Sequence, residues 1–167
     1  MSLLGNIAAT YVHPRRVLRH LLSAGVREDR ALVLAMGVGA MAFVAQWPRL
    51  VRVADASGED LQMLLGGSLL GLVFILPLLM YVLAALSHLL ARLFGGQGSG
   101  YASRIALFWA LAAALPLMLL DGLVGGFIGP GPAKIAVGIL WCLAVLVFWT
   151  AGLIEAHFSP QSGSRHA

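Results

Sequence analysis

Four stretches of this chain are apolar for far longer than a soluble fold requires, and they leave little sequence for anything else. Residues 31–47, 61–86, 105–120 and 135–154 carry no charged side chain. A hydrocarbon core about 30 Å thick is crossed by about 20 mainly apolar residues in helical form. Each run therefore predicts a membrane-spanning helix. Between them the runs predict an all-α polytopic membrane bundle of four transmembrane helices, preceded by an N-terminal amphipathic interfacial helix.

Composition excludes the alternatives. Hydrophobic residues make up 60% of the chain and charged residues 11%, against about 25% charged in soluble domains. The mean hydropathy is +0.91. The net charge of +4 comes from eleven basic residues, ten of them arginines gathered at the edges of the apolar runs. That placement is an orientation signal and not a nucleic-acid surface, which would need a basic stripe with interleaved aromatics on a soluble module. The lone Cys142 allows neither an intrachain disulfide nor a cysteine metal cluster. Basic residues from Arg15 to Arg30 interrupt the N-terminal region, which does not read as a cleavable signal peptide.

The expected organisation has three parts: an amphipathic segment at 1–30, a four-helix membrane domain at 31–158, and a mobile polar tail at 159–167. On a helical wheel from Pro14, Arg15, Arg16, Arg19 and His20 share one side, with Val17, Leu18, Leu21 and Leu22 on the other. Such a helix is expected to lie on an anionic leaflet, leucines in the acyl boundary and arginines at the headgroups. Leu3, Leu4, Ile7 and Tyr11 suggest a shorter helix before it. The first span is expected to end at Pro48 and to be followed by a polar loop through Asp60. Pro77 should kink the second span, because it lacks an N–H and clashes with the preceding turn. The GGQGSG segment at 95–100 reads as a flexible turn, since it follows an apolar helix and not a strand. GPGP at 129–132 breaks the chain before the fourth span.

With four spans, one side collects Arg15, Arg16, Arg19, Arg27, Arg30, Arg92, Arg104 and Arg165, and the other Arg49, Arg52 and Lys134. Eight against three predicts both termini in the cytoplasm.

Polar groups in or beside spans are the functional candidates. Asp121 could bind a proton or cation if it sat within the hydrocarbon, or cap the glycine-rich segment if it sat at the interface. His88, Arg92, Glu155 and His157 fall near one edge, where Arg92 could pair with Glu155. Two histidines and a glutamate could in principle hold a metal, although no helical His pair supports it. Ser68, Ser87 and Ser103 lack any sequence context for a nucleophile with its base. The residues thus predict no catalytic site, no cofactor and no metal.

The second half also resembles a known family. LARLF before GGQGSG, then IALFWALAAALPLMLL, a glycine-rich turn and ILWCLAVLVFWTAGLIEAHF, together with the upstream PRRVLRHLL, look like bacterial members of the Yip (Ypt-interacting protein) superfamily. The resemblance covers most of residues 10–158. It implies a multi-spanning membrane bundle and not a reaction; eukaryotic members associate with small Rab-type GTPases in vesicle traffic. The combined expectation is a non-enzymatic protein of a bacterial inner membrane. Its partners would be anionic lipid headgroups and, through small-residue faces at Ala35/Gly39, Gly67/Gly71, Ala110/Ala114 and Gly122/Gly126, a second copy or another membrane protein. The alternative is a small transporter or ion-conducting subunit using Asp121 and the proline-broken spans.

Overall fold

A computed structural model describes residues 3–158, without the side chains of Leu3 and Leu4. The polar tail expected at 159–167 lies outside the described residues. Among these the secondary structure is entirely helical: α1 (Leu3–Val12), α2 (Pro14–Ser23), α3 (Glu28–Ser57), α4 (Leu61–Leu69), α5 (Leu76–Leu93), α6 (Gly100–Ala113), α7 (Leu115–Leu123) and α8 (Pro132–Phe158). Two π-helical stretches, Leu70–Ile75 and Val124–Ile128, join α4 to α5 and extend α7. By length and composition, α3, the continuous rod Leu61–Leu93, and α8 can each cross a membrane. The pair α6 and α7, bent by 42°, supplies a fourth crossing when taken as one broken span.

The three internal prolines behave differently. Pro48 does not end the first span: α3 runs on to Ser57, so the expected polar loop is mostly helix. Its end is set instead by Gly58, whose φ of +73° is the left-handed conformation that glycine supplies at a helix C-terminus. Asp60 then opens α4, its side chain accepting from the Gln62 N–H at 2.9 Å. Pro77 follows the π-helical stretch, and the rod widens locally and continues. Pro116 breaks its span: α6 stops at Ala113 and α7 begins at Leu115.

Helix α6 is the centre of the bundle, with eleven of its residues buried between α3, α5, α8 and the N-terminal helices. Phe108 is wholly buried and meets Tyr81 of α5 edge-on, ring centres 5.0 Å apart. The outer helices are the reverse. Only 11% of the most apolar window of α8 is buried, and 17% of that of the α4–α5 rod, which leaves broad leucine-rich faces for lipid. Small residues allow the inner helices to touch. A Cβ at Gly122 would lie 1.8 Å from the carbonyl oxygen of Ala45, and one at Gly39 would lie 2.3 Å from that of Leu72.

The N-terminal helices differ from their expected setting. Val17 and Leu18 are 5% and 2% exposed, in the same core as Ile7, Ala31, Ala106 and Phe108. The apolar face of α2 is thus packed onto α6 and α8, while Arg15, Arg16 and Arg19 stay exposed. Amphipathicity alone cannot separate these cases, because a bundle and a bilayer offer the same apolar counterface. α1 docks beside the Pro116 break. There the Tyr11 hydroxyl donates to the Ala113 carbonyl at 3.0 Å, and the Trp109 indole N–H donates to Thr10 Oγ1 at 3.0 Å.

Candidate functional site

The start of α3, the end of α5, the start of α6 and the end of α8 meet at one end of the bundle, and most of the polar side chains gather there. Ser99 opens α6, its hydroxyl accepting from the Ala102 N–H at 3.2 Å. One turn on, the fully buried Ser103 shares a 2.6 Å hydrogen bond with Nε2 of His157, itself 4% exposed. The ring of His88 lies 5.4 Å from that of His157. The loop after α5 is pressed against the end of α8 and is not the flexible turn expected. Gln97 N–H donates to the His157 carbonyl at 3.1 Å, and a Cβ at Gly98 would lie 2.1 Å from the Ala156 carbonyl oxygen. Gly96 and Gly98 serve close approach, and Gly95 supplies a φ of +83°.

A belt of ion pairs surrounds this cluster. Arg19 Nε donates to Glu155 Oε1 at 2.7 Å, joining α2 to α8. The expected Arg92–Glu155 pair is not formed, and Arg92 is exposed. The hydrogen bond to Glu155 and its negative charge hold the Arg19 guanidinium above its ordinary pKa. Arg104 reaches Glu28 at 2.6 Å and stands over the Tyr81 ring at 5.9 Å. Arg27 pairs with Asp29 at 2.8 Å.

Asp121 lies at the other end, within α7. Its carboxylate is paired with the Lys134 ammonium, which also donates to the Asp121 backbone carbonyl at 3.3 Å. The expected choice between a glycine-segment cap and an open ion site is therefore replaced by an internal ion pair across the GPGP turn. Nearby, Arg52 donates to the Gly126 carbonyl at 2.9 Å, tying α3 to the π-helical end of α7.

The chemistry available to these groups is limited. Ser103 and His157 have the contact of a nucleophile and a base. However, both are shut away from solvent, and among the described residues Nδ1 of His157 has no hydrogen-bond partner to orient the ring. A hydrolase needs substrate access to the nucleophile and a group that fixes the base. Among the described residues no group of three His, Cys, Asp or Glu side chains is placed to hold a metal ion. Sequence reasoning singled out the histidines, Glu155 and Arg19 and named Ser103 only as a serine without a base, so what it missed were the pairings Ser103–His157 and Arg19–Glu155.

What fold and polar clusters define is a multi-pass α-helical membrane protein in which several ion pairs and a few hydroxyl contacts fasten one helix to another. A family model described as the Yip1 domain matches residues 8–165. The chain belongs to the Yip1-domain family. No curated protein and no solved structure shows significant similarity to it.

Proposed function

We propose that the protein acts without catalysis, through packing of its membrane helices against a second copy or another membrane protein. The observation that supports this is the fate of its small-residue faces. Ala35 and Gly39, Ala110 and Ala114, and Gly122 and Gly126 are taken up by contacts within the chain. Gly67 and Gly71 are not: a Cβ at either would meet nothing within 4 Å. Two glycines four apart on an apolar helix let a neighbouring backbone approach closely, which is how helices associate where lipid removes the hydrophobic drive. Exposed Met63, Leu70 and Phe74 flank them. The test is Gly67→Ile with Gly71→Ile in native membranes, followed by gentle extraction and sizing. The expected result is loss of a higher-order species with the monomer fold intact; an unchanged assembly and unchanged co-purifying proteins would reject the reading.

The proposed setting is a bacterial inner membrane with both termini in the cytoplasm, on the eight-to-three basic asymmetry. Cysteines placed at 97 and 57, both exposed, in a Cys142→Ser background should label from the cytoplasm and from outside respectively. The transport alternative loses support from the Lys134 partner of Asp121, which supplies within the chain the positive charge a bound cation would bring.

A further inference from the structure

Between the N-terminal helices and α3 runs a groove of about 710 Å³, open on its outer side. Its floor is one stripe of α6, the buried residues Tyr101, Ile105, Trp109 and Ala112. One wall is the α3 stripe Val33, Gly37 and Met41, which stays exposed. Its character changes along its length: His20, Asp29 and Arg30 line it beside the belt of ion pairs, and only apolar side chains and Gly37 line it along α3 from Val33 to Met41.

We propose that this groove holds one acyl chain of a bilayer phospholipid, with the lipid phosphate at Arg30 and His20. Two observations favour that occupant. The first is charge. Asp29 is already engaged by Arg27 at 2.8 Å, whereas among the described residues Arg30 makes no ion pair, so the local surplus is positive. A guanidinium is well matched to phosphate oxygens. The second is length. Arg30 to Met41 spans about 16 Å at about 1.5 Å per residue, half of a hydrocarbon core about 30 Å thick and so the depth of one leaflet. A partner helix would bring neither the phosphate nor the graded polarity.

Gly37 makes the idea testable, because a Cβ there meets nothing within 4 Å and a larger side chain fills the groove without striking its walls. The full chain is placed in nanodiscs of phosphatidylethanolamine and phosphatidylglycerol containing a phospholipid with a diazirine in its acyl chain. After irradiation the adducts are mapped by mass spectrometry. The expected result is a several-fold excess of adducts at residues 33–41 and 105–112 over Leu143 and Val147, which face outward on α8. Gly37→Phe should bring that excess down to the α8 level, and Gly37→Ala should retain it. Val33→Trp, at a position 72% exposed, is a second plug should the phenylalanine variant misfold. Arg30→Gln should weaken lipid retention in native mass spectrometry about tenfold, the loss of one hydrogen bond to a charged group. Equal labelling of groove and α8, labelling indifferent to both plugs, or a protein segment cross-linked there in place of lipid would overturn the proposal.

Discussion

The α3–α7 seam and the outer face of α4 carry the same kind of residue to opposite ends. Along the seam, Gly122 lies under the Ala45 carbonyl, and Gly126 leaves room for Pro48, whose Cβ would stand 2.3 Å from an added Cβ. On α4 and the π-helical stretch that follows it, Gly66, Gly67 and Gly71 face open space. A glycine pattern in a membrane helix is thus a licence for contact and does not say with what. On the seam the partner is the chain itself, whereas on the outer face of the α4–α5 rod no atom of the described residues comes within 4 Å of an added Cβ.

Four substitutions probe that contrast, in descending order of effect. Gly122→Leu puts a side chain where backbone already stands, and overpacking of that kind should cost about 3 kcal/mol or more. The measurement is thermal unfolding in detergent, and a melting temperature near the parent's would mean the seam is looser than described. Ser103→Ala leaves the buried His157 Nε2 without its partner, at about 1–3 kcal/mol; retained stability there would show that the Ser103 contact is dispensable. Tyr11→Phe removes one hydroxyl from the Ala113 carbonyl and should cost about 1 kcal/mol. Its clearest sign is faster hydrogen exchange in α1 with α8 unchanged. Gly67→Leu should leave monomer stability within error, since nothing stands within 4 Å of its Cβ. A large destabilisation in that variant would erase the contrast.

The spans were legible because an apolar run of twenty residues has few other uses. Boundaries were less so. Asp55 and Ser57 looked like loop residues, yet polar side chains at the exposed end of a helix are equally at home, and α3 keeps them. Pairings were the least legible. Glu155 has Arg92 and Arg19 as possible partners on the same edge, and only the docking of α2 onto α8 decides for Arg19, 136 residues away. The Asp121–Lys134 pair could have been read, since opposite charges flanking a GPGP turn face each other when two helices fold back on one another.

The contacts of the N-terminal helices also set a timetable. Tyr11 and Arg19 leave the ribosome early, but their partners follow 102 and 136 residues later. At about 5–20 residues per second, the interval is on the order of ten seconds. For that time α2 has an apolar face and no bundle to receive it. Its exposed arginines and leucine side would suit it to the membrane surface in that interval, so on the proposed lipid setting a helix that ends as part of the protein core would begin as a guest of the lipid.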